Sequence, residues 1–369
     1  MTAPQPTTDS PEVLGYKRTD ITFPSGKSTC AAWRYLPDNA GDGPLPVVIM
    51  AHGLGAVRQL RLHEFAERFA QAGYAVVVFD YRHFGASGGH PRQLVDIRAQ
   101  LQDWHSALAY VRSEELFDSS RIALWGSSFG GGHVLQVAAD DKAVKAVISQ
   151  CPFTDGPASF LARMRTGKIS APIMLLAAIA DCAGAALGRN PLLLPMVGTP
   201  LMPAFLAAPD SLPGAIELSP PGAQLSARTT QTIRKIRPLA RRIPAAHWTA
   251  ASRTPNPSDD IWGVLEAKDG SVIMRNAIAA RLVLTLPRYR PGRSLKEHSI
   301  PTLVCLSEND TVAPATATAR HARGLKHVKV NPYEAGHFDL YVGTWFEQVS
   351  TDQIKFLVRH MPSTPPATH

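Results

Sequence analysis

Four short, largely apolar runs, residues 47–51, 76–79, 122–125 and 144–149, alternate along the chain with segments of helical length and spacing at 63–72, 94–111 and 129–139. Runs this short cannot form buried helices, but they suit strands covered on both faces. Parallel neighbours need a crossover, and right-handed crossovers bury both sides of the sheet. The pattern pauses after 149, resumes at 302–306 and 328–333, and closes with a helix at 344–361. Upstream, 19–23 and 29–35 flank Pro24, Ser25 and Gly26 as a hairpin would. The expected fold class is α/β, a mostly parallel sheet with helices on both faces and an inserted helical cap. Domain boundaries follow: flexible tails at 1–15 and 362–369, a core from 16–152 and 294–361, and a cap at 153–293. There is no internal repeat.

Composition fits one large domain with an insertion, since 45% of 369 residues are hydrophobic. The net charge of +8 is scattered except around Arg234, Lys235, Arg237, Arg241 and Arg242, which read as a solvated face, and nucleic acid is not expected as a partner. Prolines crowd both ends and 191–257, so irregular structure is expected there. Cys30, Cys151, Cys182 and Cys305 lack metal-type spacing and read as reduced core thiols. The first eleven residues have neither a basic start nor an apolar stretch, which makes a cytoplasmic location the expectation. The apolar segment 169–187 is nearly long enough to span a bilayer, but Asp181 and Pro172 interrupt it; a helix lining an apolar pocket is expected and a membrane is not. No metal or organic cofactor is implied, because no ligand-spaced histidine or carboxylate cluster and no phosphate-cradling loop is present.

The strongest motif is Gly126-Ser127-Ser128-Phe129-Gly130, G-x-S-x-G, where a buried run turns into a helix. Glycines at the outer positions let the chain turn tightly enough for the central hydroxyl to stand clear of the strand end. Ser128 is therefore the candidate nucleophile, and Ser127 should point elsewhere. A serine hydroxyl needs a base, and the base needs an orienting carboxylate. Asp310 follows the run 302–306 in the polar loop Glu308-Asn309-Asp310, with Glu308 and Asp339 as competitors. His337 follows the run 328–333, beside Gly336, and is the candidate base. Charge developing on a carbonyl oxygen calls for backbone N–H groups. Phe129 and Leu54 are the candidates, with Gly55 as the alternative to Leu54 in His52-Gly53-Leu54-Gly55. His52, and Asp80 and Arg82 in the loop 80–88, read as structural hydrogen bonders.

In order and spacing, His52-Gly53, the 80–88 loop, the Ser128 turn, Asp310 and His337 resemble the α/β-hydrolase superfamily over about 47–361. Residues 125–132 and 336–341 are similar to the branch of dienelactone-hydrolase-like esterases, Xaa-Pro dipeptidyl-peptidase-like hydrolases and fungal polyketide transferases. The resemblance implies a serine hydrolase cleaving a small-molecule carboxylic ester through an acyl-enzyme on Ser128. Thioester cleavage or acyl transfer with the same residues is the alternative. The chain ends soon after the last helix, without room for the C-terminal β domain of full-length Xaa-Pro peptidases, so peptidase activity is not expected. Relatives with dehalogenase or epoxide hydrolase chemistry carry a carboxylate where this chain has Ser128, which disfavours both.

Overall fold

A computed structural model describes residues 15–38, 43–166, 170–225, 263–268 and 271–363. The chain begins with the hairpin β1 (Tyr16–Ser25) and β2 (Ser28–Pro37), followed by β3 (Leu45–Ala51), α1 (Leu62–Gln71), β4 (Ala75–Phe79), α2 (Ile97–Ser113), β5 (Phe117–Ser127), α3 (Phe129–Asp140) and β6 (Ala146–Gln150). Next come α4 (Gly156–Thr166), α5 (Ser170–Ala186), β7 (Leu193–Leu194), α6 (Ser211–Glu217) and β8 (Gln224–Leu225). Beyond them lie β9 (Val264–Glu266), β10 (Val272–Arg275), β11 (Ile278–Ala279) and α7 (Leu282–Thr285). The last elements are β12 (Thr302–Ser307), α8 (Ala315–Ala322), β13 (Val328–Tyr333) and α9 (Gly343–His360).

Eight strands form one sheet in the order β1-β2-β4-β3-β5-β6-β12-β13. The hairpin β1–β2 is antiparallel, β2 runs antiparallel to β4, and the remaining pairs are parallel. All residues of β3, β4, β6 and β12 are buried, whereas the edge strand β1 is mostly solvent-facing. That contrast explains why the inner strands read as continuous apolar runs. Helices cover both faces, α1 packing beside α9 and α2 beside α3. The sheet is the expected one, with small shifts at element ends. The largest is β5, which starts at Phe117 rather than at 122; α2 starts at Ile97 because the Asp96 carboxylate caps it, accepting from the Ala99 amide at 3.0 Å.

Between β6 and β12 the described residues carry the expected helices and also five short strands, β8–β9–β10 in one small sheet and β7–β11 in another. Strands of two to four residues are too short to leave an alternating signature. The basic stretch at 234–242 and most of both expected tails lie outside the described residues.

Register decides where the loops emerge. Ala51 pairs with Gly126, Gly126 with Ser149, Gln150 with Cys305 and Ser307 with Tyr333. The C-terminal ends of the parallel strands therefore lie level, and the loops after β3, β5, β12 and β13 gather at one edge.

Beneath that edge, His133 of α3 is fully buried. Its Nε2 lies 3.0 Å from Gln100 Oε1 of α2 and its Nδ1 2.7 Å from the Tyr289 hydroxyl. In the neutral ring, Nε2–H donates to the amide oxygen and Nδ1 accepts from the phenol. Burial pushes the imidazole down to about 3. The unfolded chain then binds the extra proton below its ordinary value near 6.5, so the stability is present above that pH and is lost as pH falls toward 3. Stability should drop by about 2 kcal/mol through this group between about pH 6.5 and 5. Thermal melts of wild type and His133→Gln over that window check it: the variant should show the shallower decline, and equal slopes would contradict the assignment.

Candidate active site

Ser128 closes β5 and caps α3 with φ 55° and ψ −114°. A residue with a Cβ avoids this region, and holding one there costs about 1–3 kcal/mol. The neighbours hold it. The Ser128 amide donates to Gln150 O at 2.9 Å, and its carbonyl accepts from Gly132 N at 3.1 Å and Phe153 N at 2.8 Å. Glycine is required on both sides, because a Cβ on Gly126 would collide with the Gly130 carbonyl and one on Gly130 with the His52 carbonyl. Gly53 is equally constrained, its Cβ position lying 2.9 Å from Ser128 Cβ.

Ser128 Oγ lies 3.0 Å from His337 Nε2, and His337 Nδ1 lies 2.7 Å from Asp310 Oδ2. A carboxylate at that position accepts the Nδ1 proton and leaves Nε2 to accept from the serine hydroxyl. The other Asp310 oxygen accepts from the amides of Val312 at 2.8 Å and Ala313 at 2.6 Å, which locks the carboxylate in place. The His337 and Asp310 side chains are 3% and 2% exposed, so the pair sits away from water. Of the competing carboxylates, Glu308 is solvent-exposed, and Asp339 accepts from the Gly336 amide at 2.7 Å and so braces the histidine loop.

Leu54 and Phe129 line the same cavity as Ser128. The Phe129 amide is the first of α3, so no carbonyl one turn earlier exists to accept from it. Gly55 differs: its Cβ position points at Ile278 and Met196, and it borders a separate depression with Arg92 and Gln93. The geometry thus brings the Leu54 position, not Gly55, beside the serine. Above it the cavity wall is apolar, with Phe160 and Met164 from α4, Met174 from α5, Phe205 and Leu286. Among the described residues, Arg163 is the one ionisable side chain lining this cavity. It is engaged in stitching the insertion, donating to Ala204 O at 2.9 Å, Met202 O at 2.9 Å and Ser170 Oγ at 2.7 Å.

The residues read as structural bond accordingly. His52 is buried, with Nδ1 2.9 Å from Gly53 O, and burial lowers its imidazole below the ordinary value. Asp80 accepts from the Arg58 and Ala86 amides, and Arg82 donates to Asp103, Ser25 and Gln102. Ser127 points away from the cavity toward the Tyr341 hydroxyl and Cys151. Three contacts escaped the sequence. Tyr341 stands behind the serine turn, Thr311 Oγ1 donates to Asp210 Oδ1 at 2.8 Å, and Gly214 of α6 abuts Phe338 beside the histidine. The last two come from the insertion, whose sequence carries no readable period. Cys30, Cys151 and Cys305 are buried as expected, but Cys182 is exposed, because it sits on the outward side of α5.

Gly126→Ala, which drives a methyl into the Gly130 carbonyl, should destabilise the fold by about 3 kcal/mol or leave it insoluble. Chemical denaturation against wild type measures this, and an unchanged midpoint would show that the turn has room to relax.

The sequence profile of the family described as "Serine aminopeptidase, S33" matches residues 42–183, from the approach to β3 into α5. The quorum-quenching protein AidA of Acinetobacter baumannii is 38% identical over 343 residues, covering 93% of this chain and 95% of that protein. Among solved structures, the α/β hydrolase GrgF from Penicillium sp. sh18 superposes with a TM-score of 0.64 at 23% identity, over 94% of this chain and 99% of that one. DcsB in complex with its substrate analogue superposes with 0.65 at 22% identity, over 93% and 100%. At those identities the two structures speak for the fold. With the AidA relationship running along nearly the whole length, the chain belongs to the α/β-hydrolase superfamily and is an enzyme of the hydrolase class.

Proposed function

We propose that this enzyme cleaves a carboxylic ester with a hydrophobic acyl group through an acyl-enzyme on Ser128, and that residues 153–293 cap the core and select the acyl chain. The observation that carries the reading is the unbroken relay from Ser128 Oγ through His337 to Asp310, at 3.0 and 2.7 Å, opening into an apolar cavity. In this reading, His337 Nε2 takes the serine proton as Oγ attacks the ester carbonyl, and Asp310 stabilises the imidazolium that forms. The Leu54 and Phe129 amides hold the oxygen as it becomes anionic, aided by the positive end of α3. Collapse of the tetrahedral adduct expels the alcohol, which takes the proton from His337. A water molecule, deprotonated by the same nitrogen, then releases the acid.

Thioester cleavage or acyl transfer uses the same residues. It is favoured as the second reading by the polyketide transferase GrgF of Penicillium, 32% identical over 49% of this chain, and by a thiohydrolase of Eupenicillium brefeldianum, 33% identical over 34% of it. AidA is named for quorum quenching, which fits a small-molecule substrate here. Three buried unpaired thiols suit the reducing cytoplasm expected from the sequence.

The reading is tested with p-nitrophenyl esters from acetyl to long acyl chains, with a thioester series and an aminoacyl anilide beside them. Ser128→Ala should lower kcat by about ten-thousand-fold or more. Turnover retained in that variant would sink the proposal, and hydrolysis confined to thioesters would move it to the second reading. Met174→Trp fills the cavity wall and should shift the chain-length optimum to shorter esters, with kcat/KM on long chains down about tenfold. An unchanged profile would place the acyl group elsewhere.

A further inference from the structure

The outward face of α5 has no polar side chain to meet water. Its inner stripe, Met174, Ala178 and Asp181, is buried, and Asp181 is held by Arg281 at 2.8 Å. Opposite stand Ile173, Leu176, Ile179, Ala180 and Ala183, with Cys182 at the margin. Leu176 is 68% exposed, and Leu187, just past the helix, 70%. α4 adds exposed Phe160 and Leu161, and Arg163 ties the two helices together by donating to Ser170 Oγ. A helix apolar all round is ordinarily covered all round, and a contiguous apolar surface of this kind marks an interaction.

The charge around this face identifies the occupant. Residues 156–209 and 278–296 contain one carboxylate, Asp181, which is buried and paired. Against it, among the described residues, stand four exposed guanidiniums: Arg165 at the end of α4, Arg189 after α5, Arg288 on the short 3-10 helix packed against α4, and Arg293. A second copy docking through the same face would set guanidiniums against guanidiniums with no counter-charge, since a two-fold interface pairs a patch with itself. An apolar face flanked by cations and, among the described residues of these segments, free of exposed carboxylates is instead complementary to a layer of acyl chains under anionic headgroups.

We propose that the α4–α5 face docks on the surface of an anionic lipid bilayer, with Leu176, Ile179 and Leu187 at the headgroup–acyl boundary and the guanidiniums among the phosphates. This is attachment by one face: α5 has 17 residues, and among the described residues no helix is long and apolar enough to cross a membrane. The sequence reading set membranes aside on the question of a span, which docking does not require. Phe160, Met164, Ala171 and Met174, from the same two helices, line the cavity over Ser128, so docking holds the cavity rim at the lipid surface.

Flotation of the full chain with phosphatidylcholine vesicles, with and without phosphatidylglycerol, tests this. The protein should float with the anionic vesicles, stay behind with the zwitterionic ones, and be released by salt. Leu176→Glu/Ile179→Glu should cut the bound fraction about tenfold at an unchanged melting temperature. As a second readout, an environment-sensitive dye on Cys182, the one exposed cysteine of the four, should shift to the blue on anionic vesicles. Absence of flotation and of the dye shift would overturn the proposal. So would a dimer, seen by light scattering, that falls apart in the double variant, because the face would then be an interface between copies.

Discussion

Ser128 occupies a backbone region that repels a Cβ, and the turn persists because each surrounding strand end removes an alternative. Gly126 and Gly130 let strand and helix meet within one residue, Gly53 brings the neighbouring loop against the serine, and Gln150, Gly132 and Phe153 take up both backbone groups of Ser128. The strain is local and its support is the sheet, whose parallel strands end level. The same levelling sets Asp310 after β12 and His337 after β13 within reach of the serine. One register therefore positions the whole relay, and a slip of a strand would dismantle it.

The layers behind the site tie strands to helices through buried polar side chains. Ser127, displaced from the cavity by the turn, meets the Tyr341 hydroxyl, and Gln353 of α9 donates to Gln150 Oε1 at 2.8 Å while accepting from Trp125 Nε1 at 3.0 Å. On the opposite face, His133 joins α2 to α3 and to Tyr289. Buried hydrogen bonds of this kind hold what they connect in place, and these buttress the strand end that carries Ser128. Asp80 and Arg82 give the 80–88 loop the same treatment, which is why two charged residues near the site are scaffold rather than chemistry.

The sheet and the relay were legible in the sequence because both follow from position along strands. Buried parallel strands announce themselves as short apolar runs, and the polar residues just past their ends, Ser128, Asp310 and His337, are then the ones gathered at one edge. Phe129 and Leu54 could be chosen for the same reason, while separating Leu54 from Gly55 needed the packing of Ile278 and Met196 around the glycine. The insertion was opaque. Its strands are too short to show a period, and the contacts of Asp210 with Thr311 and of Gly214 with Phe338 join residues far apart in the chain. The apolar stretch of α5 pointed to a helix lining an apolar pocket, and its uncovered outer face and exposed Cys182 emerged only once the helix was placed on the core.

The central claim is that the strained turn presents Ser128, and no other hydroxyl, as a nucleophile activated by His337. The most direct measurement is labelling with a fluorophosphonate followed by peptide mass spectrometry, on wild type and on His337→Ala. The account predicts a single phosphonylated site at Ser128, with labelling slowed by orders of magnitude in the histidine variant. An adduct on Ser127, or equal labelling of both proteins, would contradict it.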